Sequence, residues 1–442
     1  MRKKIQELLS QERDLFIKTH PESGRAHSRS YTRLPFGVGS SFQFFEPHPI
    51  TVAHADGPYV WGVDGERYLD FNMGFGALLV GHRHPSVVEA VTKQLEIGTL
   101  YVAPSELSFD VADRLSEHFS HPLWRFTNSG TEAVMSAVRV ARAFSGRDLL
   151  IKVRGGYHGH SDVTMVSCKP PLDSKDPVAD SNGMPPGVLE SVRVVPYNDV
   201  EALREVLERE GSNVAAFILE PVLENVGIIM PQPGYLADVR ELCDKHGVLL
   251  IFDEVKTGLT ASYNGAAGLY KVTPDLTILA KSIGGGLPIG AFGGREDVMR
   301  SLERGAVHHG TYNANPLVLA ATKATLDLCS KEVLDDVFER NSVFSSEVRD
   351  ILAAINGAVP VAVTKIGCKG SLTFTDSHPE RYEDWKNSDL EMAELSWLWS
   401  TNRGVLTPPG LDEQWLVSLA HDKEALSVYL DQLSALVGAL NS

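Results

Sequence analysis

DLTILAKSIGGGLPIGAFGG, residues 275–294, places Lys281 at the end of a short apolar run with three glycines straight after it. A run of this length bounded by polar and turn residues reads as a buried strand. The same pattern recurs upstream in LLIKV (149–153), AAFILEPV (215–222) and VLLIFDEV (248–255), with helical periodicity between the runs. Strands buried on both faces and separated by helices predict an α/β fold built on a mostly parallel sheet.

Outside this alternation the chain reads differently. Residues 4–18 have the spacing of an amphipathic helix, and 31–49 are rich in Pro, Gly, Ser and Phe, an irregular segment. YVWGVDGERYLDF (59–71) alternates apolar and polar residues around Asp64-Gly65, which predicts a hairpin. PPLDSKDPVADSNGMPP (170–186) has the composition of a long mobile loop. After residue 325 come long helices and the strand-like pieces SLTFTD (371–376) and WLVSLAH (415–421). The expected division is an N-terminal segment, 1–75, contributing to a small domain; a large domain, 76–325; and a C-terminal small domain, 326–442. A chain of 442 residues with 43% hydrophobic content needs more than one lobe.

The charge balance, 41 basic against 57 acidic residues for a net −16, repels polyanions, so nucleic acid is not an expected partner. Four dispersed cysteines (168, 243, 329, 368) form no C-x-x-C pair and no zinc-like spacing. They point to a reducing cytoplasm. Neither an export signal nor a membrane span is expected.

Four stretches carry chemistry. In WRFTNSGTEAVMSAVRVARAF (124–144) a strand runs into a turn at Ser129-Gly130-Thr131, and a helix begins near Glu132. Freed amides, the helix dipole and two hydroxyls make a phosphate cradle, although a plain Ser/Thr cap has the same sequence. In IFDEVKTG (251–258), Asp253 ends an apolar strand, where parallel sheets bind ligands. A buried carboxylate there needs a cation, such as a protonated pyridine nitrogen; a helix cap or structural ion pair is the alternative. Lys281 is a candidate nucleophilic amine, since burial favours its neutral form. The glycines after it would let backbone approach a bound cofactor; as a dinucleotide fingerprint they lack the required helix and later acid. GGYHGHSD (155–162) offers the ring of Tyr157 for stacking on a flat group, with His158 beside it. His158, His160 and Asp162 are read as hydrogen-bonded loop residues, so no metal is expected.

In this order the segments resemble the class III aminotransferases of pyridoxal-5′-phosphate (PLP) fold type I. Within that group they are most similar to the glutamate-1-semialdehyde aminomutases. The resemblance runs over nearly the whole chain, through NSGTEAVMSAVRVARAFSGRD (128–148), GGYHGH (155–160), YND (197–199), EPVLEN (220–225), FDEVKTG (252–258), TPDLTILAKSIGGGLPIGAFGG (273–294) and GTYNANP (310–316). It implies a large domain with a mostly parallel seven-stranded sheet and a smaller α+β domain built from both chain ends. It also implies PLP as cofactor, held by Lys281 as a Schiff base, with Asp253 on the pyridine nitrogen. Val255 and Tyr157 would lie on opposite ring faces with His158 nearby, and Glu220 and Asn225 near the ring hydroxyl. Ser129, Gly130 and Thr131 would bind the phosphate. Thr311 would join them from a second subunit, which makes a homodimer with shared active sites.

The sequence departs from the aminomutases at GVGSSFQ (37–43), where Gln43 stands in place of the family's carboxylate-binding arginine. A neutral amide lacks the two-pronged, charge-assisted hold of guanidinium. Phe75 replaces a tryptophan-like residue, and 168–187 lacks the glycine-serine gating pattern. The expected activity is therefore a transaminase that moves an amino group between an amine or amino acid and a keto acceptor. Its substrate would present an apolar or aromatic group to Phe42, Phe44, Phe45 and Phe75, unless these phenylalanines are core packing. TPPGLDEQW (407–415) would bring Asp412 and Glu413 to the substrate pocket. Arg403 is expected to close a helix, and Lys256 to lie at the surface or behind the site. An aminomutase is the alternative, and a non-catalytic regulator on the same fold a remote one.

Overall fold

Apolar runs buried on both sides gather into a seven-stranded sheet. The computed structural model describes residues 1–355, 359–410 and 415–442. Three strands precede the sheet: β1 (Val52–Asp56), β2 (Tyr59–Gly62) and β3 (Arg67–Asp70). The sheet comprises β4 (Leu123–Thr127), β5 (Leu149–Val153), β6 (Val192–Val195), β7 (Val214–Leu219), β8 (Leu249–Asp253), β9 (Leu276–Ala280) and β10 (Gly290–Gly294). Their order is β4-β10-β9-β8-β7-β5-β6. Every pairing from β6 to β9 is parallel, and β10 is antiparallel to both β9 and β4, so β10 alone is reversed.

Side-chain alternation divides the core into two layers. Ala216, Ile218, Leu249, Ile251, Leu276 and Ile278 face one apolar cluster, which the helix Gly130–Ser145 completes with Ala133, Val134, Ala137 and Ala141. The intervening Phe217, Leu219, Leu250, Phe252 and Leu279 face the other cluster, with residues of the helices Glu106–Phe119, Tyr235–His246 and Pro316–Leu328. Period-two alternation into two buried faces is why these strands read as unbroken apolar runs.

The chain ends meet. The hairpin expected around Asp64-Gly65 is β2 paired with β3, Trp61 opposite Arg67, and β13 (Val405–Leu406) adds parallel to β3 in a four-stranded sheet. A three-stranded sheet joins β11 (Ala362–Ile366), β12 (Lys369–Thr373) and β14 (Trp415–Leu416). The first helix, Arg2–Thr19, lies on the helix Leu390–Thr401. There the Arg403 guanidinium donates to Glu12 at 2.8 and 2.9 Å and covers the Trp399 ring at 3.3 Å, so it ties the first helix rather than only closing its own. The irregular segment 170–186 is also tied down. Asp176 accepts from Arg154 and from Ser167, each at 2.6 Å, and Tyr382 donates to the Pro170 carbonyl at 2.8 Å. No described helix is long and apolar enough to cross a membrane.

Burial lowers His121 to about 4 and His421 to about 3, because an imidazolium loses its hydration there. Both fall below the ordinary value of 6.5, so as pH drops through 6.5 the unfolded chain binds protons that the folded chain refuses. Stability should decline from pH 6.5 toward 4 by up to ~1.4 kcal/mol per pH unit per histidine. Denaturant unfolding across that range checks this: His121→Asn should flatten the slope, and an unaltered slope would contradict the assignment.

Candidate active site

β4, β5, β7, β8 and β9 run the same way, and their C-terminal ends open on one cavity of 450 Å³. This is where parallel sheets bind ligands, in a volume typical of small-molecule sites. Each strand end supplies part of the wall. After β4, Ser129 caps the helix Gly130–Ser145, its side chain accepting from the Glu132 amide at 3.2 Å. Ser129, Gly130 and Thr131 all line the cavity. Two glycines make the corner tight. A Cβ on Gly130 would come within 3.0 Å of Val255, and one on Gly159, at φ +81°, within 2.4 Å of the Thr131 hydroxyl. The amides at the start of this 16-residue helix, with two hydroxyls beside them, are suited to an anion.

After β9, Lys281 adopts φ 48°, in the left-handed region. For a residue with a Cβ this costs ~1–3 kcal/mol, a strain that concentrates at functional positions. Lys281 is half-buried and lines the cavity. The glycines that follow make room mainly for protein: a Cβ on Gly285 would lie 2.5 Å from the Thr325 hydroxyl, and one on Gly286 2.8 Å from Leu78.

Asp253 ends β8 with both oxygens engaged. One accepts from the Val255 amide at 3.1 Å, and the other is 2.8 Å from His158 Nδ1. Both side chains are buried. A carboxylate can only accept, so the imidazole carries its proton on Nδ1, and Nε2 is left buried without a hydrogen-bond partner. Tyr157 lines the cavity, and burial raises its hydroxyl above the ordinary value, which keeps it protonated. Glu220 joins two loops. It accepts from the Tyr157 amide at 3.0 Å on one oxygen, and from the Glu224 amide at 3.0 Å and the Asn225 carboxamide at 2.8 Å on the other.

Other expected residues lie elsewhere. Thr311 is exposed and lines a separate hollow with Leu100 and Ser105, outside the cavity of its own chain. Gln43 is also outside that cavity: its carboxamide oxygen accepts from the amides of Gly39 at 3.1 Å and Ser40 at 3.2 Å. Of the four phenylalanines, Phe42 and Phe75 line the cavity. Phe44 packs on Phe36 with ring centroids 5.4 Å apart, and Phe45 on Trp397 at 4.8 Å; neither lines the cavity. Asp412 and Glu413 lie outside the described residues.

Lys256 is not a surface residue. It is buried, lines the cavity and donates to the Glu224 carbonyl at 3.3 Å. Sequence reading missed what stands behind it. Lys369, from β12, reaches Glu224 at 2.7 Å and the Lys256 carbonyl at 2.8 Å, with both partners of the ion pair fully buried. It also missed Lys152, which lies inside β5 and donates to the carbonyls of Gly156 at 2.9 Å, Thr164 at 3.2 Å and Val166, fixing the loop that carries Tyr157 and His158. A lysine within LLIKV was a signal available in the sequence.

An anion cradle, an amine on a strained backbone, a buried carboxylate and a flat ring suit the phosphate, aldehyde and pyridine nitrogen of PLP. Known proteins agree. The class-III aminotransferase family model matches residues 44–387. A glutamate-1-semialdehyde 2,1-aminomutase from Syntrophobacter fumaroxidans is 41% identical over 406 residues, covering 90% of this chain and 93% of that protein. An omega-transaminase from Sphaerobacter thermophilus superposes with a TM-score of 0.87 at 32% identity, covering 95% of this chain and 98% of that one. A glutamate-1-semialdehyde aminomutase variant from Pseudomonas aeruginosa PAO1, in complex with PMP, gives 0.91 at 28% identity, covering 100% and 99%. The fold, the cavity chemistry and these matches together identify the chain as a member of the class-III aminotransferase family, an enzyme that works with PLP.

Proposed function

We propose that this enzyme moves an amino group between two molecules, from a small amine or amino acid to a separate keto acceptor. The convergence of Lys281, Asp253 and the helix start at Ser129 on one cavity supports amino-group chemistry, and the Gln43 amide turned into its own loop is the observation that favours a separate acceptor. Bound PLP supplies an electron-withdrawing ring that acidifies the C–H bond beside the substrate nitrogen. The protein's residues do the rest. Lys281 would hold the cofactor through its Nζ, and as a free amine would take the proton from the substrate carbon. Asp253, fixed by the 2.8 Å contact with His158, keeps the pyridine nitrogen protonated. Ser129, Thr131 and the amides from Gly130 onward bind the phosphate. Tyr157 and Val255 would pack against the ring, and Glu220, which accepts from Asn225 and the Tyr157 amide, fixes the loops beside it. The exposed Thr311 fits a homodimer in which it completes the phosphate site of a second copy. The division at residues 75 and 325 belongs to the same reading.

A second reading, an aminomutase that returns the amine to the same molecule, is favoured by the names of the relatives. Gln43 favours transfer between molecules, because its amide is turned into its own loop and offers a substrate carboxylate no charge. Acceptor dependence separates the two. Given an amino donor alone, the loaded enzyme should release one carbonyl product per active site and stop, then resume when pyruvate or 2-oxoglutarate is added. Sustained isomerisation of glutamate 1-semialdehyde with no acceptor would establish the mutase instead.

A further inference from the structure

The wall of the cavity is segregated. Its charged groups, Glu220, Asp253, Lys256 and Lys281, follow β7, β8 and β9, whereas the N-terminal part of the chain contributes only Phe42, Gly74, Phe75 and Ala77. Two unusual pieces of backbone deliver the rings. Met73, Gly74, Phe75 and Gly76 all have positive φ (46, 63, 55 and 91°), an expensive run for residues with a Cβ. It is held by Asp70, which accepts from the Asn72 and Met73 amides at 2.9 and 3.0 Å, and by Asn72, which accepts from the Phe75 amide at 2.8 Å.

Phe42 rides on a single turn, Ser41–Gln43: the Gln43 backbone N–H donates to the Ser40 carbonyl at 2.9 Å, and the Gln43 carboxamide oxygen accepts from the Ser40 amide at 3.2 Å. Phe42 is 59% exposed, yet its ring lies 5.8 Å from that of Phe75 at 54° and 6.1 Å from that of Tyr157 at 88°. Three rings from three segments thus form an open corner presenting both faces and edges, the arrangement that accepts a further ring edge-on or offset. Of the three, Phe42 and Phe75 line the cavity without supplying a hydrogen bond.

Granted the amino-transfer reading, on which this rests, we infer that Phe42 and Phe75 are specificity-determining residues that hold an aryl group borne by the amine-carrying carbon of the substrate. Gln43 is a positioning residue that acts through Phe42 by fastening its turn. The substrate class is an arylalkyl amine or its aryl ketone counterpart.

The test compares 1-phenylethylamine with isopropylamine in single-turnover half-reactions of the PLP-loaded enzyme, and the equilibrium binding of acetophenone with that of acetone by calorimetry. In the wild type the aryl amine should be preferred by about 30-fold or more, and the preference should fall about tenfold in Phe42→Ala and Phe75→Ala. Gln43→Ala should show part of the loss expected for Phe42→Ala, through weaker amine binding rather than a slower half-reaction at saturation. Phe42→Leu, which keeps apolar bulk but no ring, should weaken acetophenone binding relative to acetone even if Phe75→Ala does not fold. Equal use of both amines by the wild type, or an undiminished preference in the Phe42 variants, would overturn the inference and leave amino transfer standing. Discrimination between the ketones that depends on Phe42, without reaction of either amine, would uphold the aryl site and defeat the transfer reading.

Discussion

Lys281→Ala should lower turnover by at least ~10³-fold, since it removes both the covalent tether and the group that moves the proton. The fold should survive. Lys281 is half-buried at the cavity edge, and alanine inherits the same φ 48° strain instead of a new one. Two readings check this: the steady-state rate with an amino donor and a keto acid, and the visible absorption of the cofactor-loaded protein, which should differ from the wild type. Near wild-type turnover with an unaltered spectrum would place the chemistry elsewhere.

Lys369→Met should produce the largest loss of stability. The Lys369–Glu224 pair is fully buried at 2.7 Å, and the lysine also bonds the Lys256 carbonyl behind the cavity wall. Removing one partner leaves a carboxylate buried with one cation fewer, a change that costs ~3–5 kcal/mol in comparable pairs. The cost comes from the stranded charge more than from the lost bond. Adding Glu224→Leu to Lys369→Met should therefore recover part of the loss, and a denaturant midpoint measured for both variants decides it. A double variant no more stable than the single one would show that Glu224 has enough other partners to stay charged without Lys369.

The parallel sheet was legible because β7, β8 and β9 are buried on both faces, which leaves a run of aliphatic residues as its trace. β10 was not. GAFGG carries little strand propensity, and its glycines answer to neighbours instead: a Cβ on Gly290 would lie 2.2 Å from the Ser129 carbonyl, and one on Gly293 2.4 Å from Trp124. Lys281, Asp253 and the capped helix at Ser129 each read as lying at the C-terminal end of a strand, but that they share one site came only with the family resemblance. The partner of Asp253 was not legible. His158 stands 95 residues away in sequence, and no local pattern reports a contact at that distance. Lys369, 145 residues from Glu224, was hidden for the same reason. The four phenylalanines show the converse limit: composition marked an aromatic region, but only packing separates Phe42 and Phe75, at the cavity, from Phe44 and Phe45, which face Phe36 and Trp397.

The whole mechanism requires the cofactor to be attached at the amine of residue 281. Borohydride reduction of the loaded wild-type enzyme, followed by peptide mapping, tests this directly. A single reduced pyridoxyl-phosphate group on Lys281 is expected. The same group on Lys256, or on no lysine of the cavity, would contradict it.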